Sequence, residues 1–319
     1  MPRRAGVRTA VLALGGNALA REGEEPTIIN QFRRARESMA MVVELARDGW
    51  RIVLVHGNGP QVGDELTRNE AARRLVQPLP LGVLVAETAG WIGYMLQQSL
   101  QNALAAARVR REVVTVVTQT LVDRYDPALG RPTKPIGHAL TEAEVARLRE
   151  ADRAVGRDGA GNWRRMTASP VPLGVVELGV VRTLVEQGTI VVAAGGGGPP
   201  VYDDPLLGLE GVDAVVDKDR VAAILASQLG ADVLMILTNV DAVFEGWGTP
   251  AARPVPRMTV SQADALVAGG GLDEGGMKPK VEAAAAFARD TGGRAIIARL
   301  SGGPAALRGE TGTTITRDT

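Results

Sequence analysis

Short apolar runs alternate with amphipathic stretches along most of this 319-residue chain. The clearest pair begins at Val221, where apolar residues recur at helical spacing as far as Leu229 and Gly230 ends the predicted helix. The apolar run Val233–Leu237 then predicts a buried strand. Strands that alternate with helices in this way are typical of a mainly parallel sheet covered by helices on both faces. The pattern therefore predicts an α/β fold.

The other predicted elements follow from the same two periodicities. Strands are predicted at Thr9–Leu14, Arg51–His56, Val113–Val117, Thr189–Ala194, Arg294–Leu300 and Gly312–Thr316. Helices are predicted at Phe32–Arg47, Gln61–Leu75, Val83–Ala107, Thr141–Ala151, Val175–Gln187, Ser261–Val267 (with Ser261 as N-cap) and Val281–Arg289. Between Asp123 and Ala168 the sequence is rich in proline, glycine and charge, so we expect either a small flap or a flexible insert there.

The charge balance and the absence of cysteine narrow the function classes. The 36 acidic and 36 basic residues give a net charge of zero, so we expect neither a nucleic-acid surface nor an acidic-membrane surface. Without cysteine the chain has no disulfides, thiolate metal ligands or thiol nucleophile, and two histidines leave little room for a zinc site. No apolar run is long enough to span a bilayer and the start does not resemble a secretory leader, so we expect a cytoplasmic protein.

Lysine is rare and occurs only in short motifs rich in glycine, proline or aspartate. Only four of the 36 basic residues are lysine: Lys134, Lys218, Lys278 and Lys280. A chain that uses arginine for most positive charges keeps lysine where a compact, flexible ammonium is needed. Compositional drift is the alternative explanation, but random placement would have left some lysines on the polar faces of the arginine-rich helices. We therefore expect Lys134, Lys218 and Lys280 to be functional and do not extend this expectation to Lys278.

Three predicted strands end in glycine turns. The turns are Gly15-Gly16-Asn17, Gly57-Asn58-Gly59 and the run from Gly195 to Gly198. Ligands of open α/β sheets bind at the carboxyl ends of the strands. Glycine there lets backbone N–H groups approach phosphate oxygens, although tight turns also need glycine for their own geometry. Neither a GxxxxGK[ST] loop nor a GxGxxG motif after the first strand is present, so the P-loop and dinucleotide classes are disfavoured.

The run Asp217-Lys218-Asp219 opens a predicted helix, whose N-terminus already favours anions. Phosphoryl transfer needs positive charge on the transferred group and donors that hold the reactants in line, and Lys218 and Lys280 meet that need. Asp219 has two interpretations: it orients the lysines or holds Mg²⁺ through water, or it only caps the helix. His56 ends a strand, and a hydrogen-bonded structural role is favoured over catalysis.

Seven motifs together resemble the carbamate kinases of the amino-acid kinase superfamily. In chain order they are VLALGGNAL, VHGNGPQVG, PTKPIG, GGGGPPV, AVVDKD, ADVLMILTNVDAV and GGMKPKVEAA. The resemblance covers essentially the whole chain. It implies one domain over residues 1–319, built as a three-layer α/β/α open sheet, with residues 123–168 inserted as a protruding lid. It also implies a homodimeric phosphotransferase that interconverts ATP and carbamate with ADP and carbamoyl phosphate, with Mg²⁺ bound mainly through the nucleotide phosphates.

The resemblance assigns roles to residues of this chain. Lys134 would close over the transferred phosphoryl group, Lys218 and Lys280 would flank it, and Asp219 would organise the lysines. The acceptor would be held by Gly15, Gly16, Asn17, Gly57, Asn58, Gly59, Gly196 and Gly197. Besides Lys218 and Lys280, the nucleotide would contact Thr238, Val240, Asp241, Val243, Trp247 and Met277. No metal site built from protein ligands is expected.

Two other functions stay open at this stage. Departures from the family pattern lie near Pro80–Gly93 and in the lid, where His138 follows PTKPIG in place of the usual proline. An enzyme of this type that phosphorylates another small carboxylate-like or phosphate acceptor is therefore one alternative. A non-catalytic nucleotide or anion sensor on the same fold is the other. The presence of all three lysines and of Asp219 argues against a sensor, which need not keep the charges for transfer.

Overall fold

The central sheet has eight strands in the part of the chain that the computed structural model describes, which is residues 6–16, 19, 24–272 and 276–318. In chain order the strands are β1 Thr9–Leu14, β2 Arg51–His56, β3 Val113–Thr115, β4 Thr120–Val122, β5 Lys134–Ile136, β6 Val155–Arg157, β7 Trp163–Thr167, β8 Pro172–Val175, β9 Ile190–Val192, β10 Pro200–Asp204, β11 Gly208–Gly211, β12 Val233–Thr238, β13 Val243–Glu245, β14 Arg253–Val255, β15 Arg257–Thr259, β16 Arg294–Arg299 and β17 Thr313–Thr316. The helices are α1 Ile28–Ser38, α2 Ala40–Arg47, α3 Gly59–Ala71, α4 Leu81–Ala106, α5 Glu142–Glu150, α6 Leu178–Glu186, α7 Lys218–Leu229, α8 Val260–Ala268, α9 Met277–Thr291 and α10 Gly303–Arg308.

The strand order of the central sheet is β15-β17-β16-β12-β1-β2-β9-β3. Its described neighbours run parallel except β16 with β17. Helices cover both faces, as β1 shows: Val11 and Ala13 pack with α6, α7 and α9, whereas Ala10, Leu12 and Leu14 pack with α2 and α4. This alternation is the period of a strand, and both sets are apolar because both faces are buried. The predicted α/β fold with a mainly parallel sheet between helical layers is confirmed.

A second, smaller sheet lies within residues 134–167, which we call the flap. Its strand order is β5-β7-β6, and α5 accompanies it. Val145 and Leu148 of α5 are buried, so the flap has apolar contacts of its own. Residues 134–167 are therefore folded in the structure, and the insertion of residues 123–168 as a lid stays a prediction.

The flap is docked on α3 by a backbone contact. The Gly137 N–H donates to the Gly59 carbonyl at 2.9 Å. A Cβ on Gly63 would stand 2.0 Å from the Gly137 Cα, so the two segments approach this closely only because Gly63 has no side chain. Ile136 of β5 is buried with Val62 in an apolar cluster between α3 and α4. These contacts fix where β5 lies relative to the sheet edge.

The helix predicted over Phe32–Arg47 is two helices, α1 and α2, which meet at Met39. The Met39 N–H donates to the carbonyl of Arg36, three residues back, at 3.2 Å. The Ser38 hydroxyl donates to the Arg34 carbonyl at 2.9 Å. A serine that bonds back to the preceding turn in this way bends a helix.

Other predicted helix starts also differ from the structure: the helix predicted from Val281 begins at Met277, and two further differences have a local cause. The N-cap of α8 is Thr259, not Ser261, because Thr259 and Gln262 form a reciprocal capping box with bonds of 3.3 and 2.8 Å. The helix predicted from Val175 begins at Leu178, because Val175 pairs with Thr120 as the last residue of β8.

The sheet β11-β10-β4-β8 and the hairpin β13–β14 were not predicted. Their strands are three to five residues long, which gives hydrophobic periodicity too few positions to register. Among the helices that the structure describes, none is long and apolar enough to cross a membrane.

Candidate active site

The turn Asp217-Lys218-Asp219 begins α7 at the carboxyl edge of the central sheet. Asp217 is the N-cap, and its Oδ1 accepts from the N–H groups of Asp219 at 3.0 Å and Arg220 at 3.2 Å. A carboxylate in this position satisfies backbone donors at the positive end of the helix dipole. The cap therefore holds Lys218, the first helical residue, in a defined position.

Asp219 joins two lysines that come from different helices. Its side chain is almost completely buried; Oδ1 accepts from Lys218 Nζ at 2.5 Å and Oδ2 accepts from Lys280 Nζ at 3.1 Å. Lys280 follows Pro279 near the start of α9, where proline is tolerated because the first helical N–H groups have no partner within the helix. Asp219 therefore orients both ammonium groups, and the interpretation of Asp219 as the helix cap is wrong because Asp217 is the cap.

Lys134 reaches the same turn from the flap. It opens β5, where it pairs with Thr167 of β7, and its Nζ donates to Asp217 Oδ2 at 2.7 Å. The Lys134 side chain is 25% exposed, against 14% for Lys218 and 17% for Lys280. The three lysines that the sequence singled out thus converge on one turn, and the lysine of the flap is the most accessible.

Burial and ion pairing act against each other in this cluster. Burial alone would raise the pKa of Asp217 and Asp219, but the neighbouring lysines outweigh it and lower the pKa of both carboxyls. Burial lowers the pKa of the Lys218 ammonium, and the attraction of Asp219 only partly offsets this. Both carboxylates are therefore ionised, and Lys218 loses its proton more readily than a solvated lysine does.

A cavity of about 600 Å³ lies between the flap and the start of α7. Lys134 and Arg157 line it from the flap, whereas Asp217, Arg220 and Pro279 line it from α7 and α9. Its volume falls in the range of small-molecule sites. Cationic side chains on opposite walls suit a ligand with several negative charges.

The glycine turns lie at the same edge, but some of their N–H groups are already engaged. The N–H groups of Gly15 and Gly57 donate to carbonyls at the ends of neighbouring strands, at 2.8 and 3.2 Å. The Gly197 N–H donates to the Ala194 carbonyl at 3.0 Å. These three N–H groups therefore hold the turns together.

The remaining acceptor candidates differ in access. Gly16 is exposed, and Gly59 is half-buried at the first position of α3, where a backbone N–H has no partner within the helix. Asn58 and Gly196 are buried against each other. Asn17 lies outside the described residues. Gly16 and Gly59 therefore have backbone groups that a ligand can reach.

Three nucleotide candidates lie in the loop region that follows β12 and includes the turn between β13 and β14. Trp247 is 58% exposed and tilts against Phe244, with 5.1 Å between ring centroids. Val240 is half-buried, and Asp241 is exposed and paired with Arg299. The loop thus offers an accessible aromatic surface beside a partly apolar one.

The other three candidates are less accessible. Met277 is half-buried at the start of α9, and Thr238 is buried at the end of β12. Val243 is completely buried in the core, and its N–H donates to Thr313 Oγ1 at 2.8 Å. The Val243 side chain is therefore not accessible in this structure, and a role of Val243 in nucleotide binding stays a prediction.

Sequence reasoning gave no separate role to Asp217, although this residue both caps α7 and binds Lys134. An aspartate directly before a helical pattern is an N-cap signal, so the capping role of Asp217 was predictable from the sequence, whereas its bond to Lys134 was not. Arg157 and Arg220 on the cavity walls carry no comparable signal, because arginine is the common cation of this chain.

Comparison with known proteins places the chain in a family. The model described as the amino acid kinase family matches residues 8–299. The carbamate kinase of Pyrococcus horikoshii is 41% identical over 319 residues, which cover 99% of this chain and 100% of the relative. Structures of carbamate kinase from Giardia lamblia bound to citric acid and to AMP-PNP are 38% identical, cover 98% of this chain and 99% of theirs, and give TM-scores of 0.93 and 0.89. The chain therefore belongs to the amino acid kinase family and, within it, to the carbamate kinases.

Proposed function

We propose that this protein is a phosphotransferase that interconverts ATP and carbamate with ADP and carbamoyl phosphate. The observation that carries the proposal is the convergence of Lys134, Lys218 and Lys280 on Asp217 and Asp219 beside the cavity. Relatives that match almost the whole chain are named carbamate kinases, and the Giardia protein binds AMP-PNP, which supports a nucleotide substrate here.

In this mechanism the protein contributes charge and position, since phosphoryl transfer needs little covalent help. Lys218 and Lys280 would bind oxygens of the transferred phosphoryl group and of the nucleotide phosphates. An ammonium has three N–H donors, and Lys218 and Lys280 each use one of them on Asp219. Because Asp219 fixes both ammonium groups before a ligand arrives, little reorganisation is needed when charge develops.

Lys134 would bind the transferred group from the flap. Its bond to Asp217 keeps the ammonium beside the cavity while no phosphate is bound. A phosphoryl group carries more negative charge than one carboxylate and would compete for the same ammonium. Lys134 would thus act late, when the flap and both substrates are in place.

The acceptor would bind at the first turn of α3 and at Gly16, whose backbone groups are accessible. The positive end of α3 suits the carboxylate of carbamate. The adenine would lie in the loop that carries Trp247, with Met277 toward the start of α9. In this arrangement the two substrates approach the lysines from opposite sides.

Mg²⁺ belongs to this proposal as a companion of the nucleotide. Within the described ranges, no group of three or more His, Cys, Asp or Glu side chains could hold a metal ion. Asp217 and Asp219 are the carboxylates beside the phosphate site, and both already accept from lysines. This fits a Mg²⁺ that keeps several waters and binds phosphate oxygens with at most one or two carboxylates. When bound, it neutralises charge on the phosphates.

We also propose a cytoplasmic homodimer. Val83 and Tyr94 of the long helix α4 are about half exposed, and such apolar surface suits contact with a second copy. Light scattering after gel filtration measures the mass, and a monomer at micromolar concentration would contradict the dimer.

The catalytic test is a coupled assay of ATP formation from ADP and carbamoyl phosphate, beside a panel of other acyl phosphates. Lys280→Ala should lower kcat by roughly 10²–10³, the cost of losing one preorganised donor. Lys278→Ala, on the same helix, is the matched control and should retain wild-type kcat. ATP formation from another acyl phosphate but not from carbamoyl phosphate would contradict the acceptor. An unaffected Lys280→Ala enzyme would contradict the role of the lysine cluster.

A further inference from the structure

We propose that His56 is a positioning residue that sets the spacing between the turn Gly57–Gly59, the turn Gly195–Gly198 and the side chain of Lys218. The inference rests on the proposed function, in which Gly59 of the first turn helps to bind the acceptor and Lys218 binds phosphate oxygens. His56 ends β2 and does not touch the cavity, so its action on the reaction is indirect.

The imidazole lies directly between two backbone turns. His56 is 1% exposed, and its Nδ1 is 3.0 Å from the Gly57 carbonyl oxygen. A Cβ on Gly195 would stand only 2.5 Å from His56 Nε2, so the ring lies against the bare Cα of that glycine. Replacing the ring by a smaller or differently shaped side chain must therefore change the distance between the two turns.

The same turn supports Lys218. A Cβ on Gly57 would stand 3.2 Å from Cδ and from Cε of Lys218, so the hydrocarbon part of this lysine lies along the Gly57 backbone. The order in space is thus Gly195, His56, Gly57 and Lys218. A displacement of the imidazole would therefore displace Gly57 and, with it, the Lys218 ammonium group that would bind phosphate.

Asn58, two residues after His56, repeats the arrangement. Its Nδ2 donates to Thr88 Oγ1 of α4 at 2.9 Å, and a Cβ on Gly196 would stand 2.2 Å from that Nδ2. The side chains of His56 and Asn58 therefore support two successive glycines of the facing turn, Gly195 and Gly196. That turn needs support, because Ala194 adopts a left-handed φ of 50°, which costs a non-glycine residue conformational energy.

The hydrogen bond to Gly57 identifies which tautomer of His56 supports the two turns. A carbonyl oxygen only accepts, so Nδ1 carries the hydrogen and donates to Gly57. Nε2 is then the unprotonated nitrogen, and among the described residues no side chain or backbone donor reaches it. Burial lowers the pKa of His56 to about 4, and the nearby Lys218 acts in the same direction. The ring is therefore neutral in the working enzyme and acts through shape and one hydrogen bond.

The test compares His56→Asn with His56→Gln. The Asn amide nitrogen stands close to the place of Nδ1 and can keep the bond to Gly57, whereas the longer Gln amide reaches the place of Nε2. We expect His56→Gln to raise the KM for carbamoyl phosphate and lower kcat by about tenfold or more, the scale of a small misplacement of reacting groups. His56→Asn should recover a substantial part of both, and the KM for ADP should stay within about twofold in both variants.

A purely structural role gives a different pattern. It would lower the melting temperature and the fraction of active enzyme and leave both KM values unchanged. Unchanged KM values with a lowered melting temperature would overturn the proposal. An equal rise of both KM values would overturn it too, as would a His56→Asn enzyme that is no more active than His56→Gln. Gly195→Ala changes the other partner of the same contact, because its methyl group would press on His56 Nε2. It should therefore raise the KM for carbamoyl phosphate and lower kcat, as His56→Gln does. An unaffected Gly195→Ala enzyme would also overturn it.

Failure of the proposed function is distinguishable from failure of this inference. If the wild-type enzyme turns over another acyl phosphate instead of carbamoyl phosphate, the same variants are measured with that substrate. Crystal structures of the variants give a readout that needs no activity. The turn Gly195–Gly198 and Lys218 should be displaced in His56→Gln, and unchanged positions would contradict the proposal whatever the acceptor.

Discussion

Replacing Asp219 by asparagine removes one charge from the centre of the lysine cluster at almost constant volume. The amide can accept from one lysine through its oxygen, but its NH₂ group then faces the other ammonium as a second donor. Lys218 and Lys280 lie 2.5 and 3.1 Å from the two carboxylate oxygens, so both contacts cannot survive. The change therefore tests whether the carboxylate positions the lysines.

The magnitude follows from burial and pairing. Asp219 is 2% exposed, and removing one partner of a buried ion pair costs about 3–5 kcal/mol. Because both lysine side chains keep some contact with water, we expect the lower end, about 3 kcal/mol, which for a chain of this length lowers Tm by roughly 4–5 °C. The kcat should fall on the order of 10²-fold, as for the loss of a preorganised donor.

The pH dependence of the variant adds a specific signature. Burial already lowers the pKa of Lys218 and Asp219 opposes this, so removing Asp219 should lower that pKa further. Activity of Asp219→Asn should consequently decline at a lower alkaline pH than that of the wild type. The measurements are kcat against pH in the coupled assay and thermal unfolding followed by circular dichroism.

The matched control is Asp264→Asn, which makes the same chemical change in an exposed pair. Asp264 lies 2.7 Å from Arg289, both side chains are about half exposed, and such a pair contributes at most about 1 kcal/mol. The result that would refute a positioning role for the Asp219 carboxylate is an Asp219→Asn enzyme with kcat within about threefold of wild type and the same Tm as the control.

Three further predictions concern the flap, the nucleotide loop and the buried histidine. Lys134→Ala should lower kcat far more than ADP affinity, because the contact is made late, and proteolysis within residues 123–168 should be slowed by nucleotide plus acyl phosphate; equal cleavage rates with and without ligands would contradict flap closure. ADP binding should change tryptophan emission, and Trp247→Phe should abolish most of that change; a signal that survives would place the base elsewhere. The pKa of His56 is lowered from 6.5 to about 4, so the unfolded chain takes up the proton first. Stability should therefore fall as pH drops from about 6.5 to 4, by up to about 3 kcal/mol from this group. Urea unfolding of wild type and His56→Asn over this range measures it, and identical pH dependence would contradict the lowered pKa.

The sequence predicted the parts of the fold that depend on long apolar runs. The bounds of β1 and β2 were predicted residue for residue, because both are continuous buried runs that end in glycine turns. It also selected Lys134, Lys218 and Lys280, because lysine is rare in a chain rich in arginine.

What the sequence could not predict depends on contacts between distant segments. The bond from Lys134 to Asp217 exists only because the flap folds back over the start of α7. The N–H of Gly15 donates to a carbonyl of β12. The sequence of the turn does not show which strand lies beside it, and so it does not show whether this N–H is available to a ligand. Val243 lies beyond the predicted strand Val233–Leu237, yet it is buried because it opens β13 and pairs with Val255 of β14.

The backbone contact between Gly137 and Gly59 ties two events together. β5 cannot lift from α3 without breaking the 2.9 Å bond that ends on Gly59, and in the proposed mechanism the first turn of α3 receives the acceptor. An acceptor that binds more tightly when the flap is down must, by thermodynamic reciprocity, hold the flap down by the same factor. Acceptor concentration would then set how much of the enzyme is closed before any nucleotide arrives. Product that stays bound at Gly59 would delay reopening of the flap. The turnover rate would then depend on how fast Gly137 separates from Gly59.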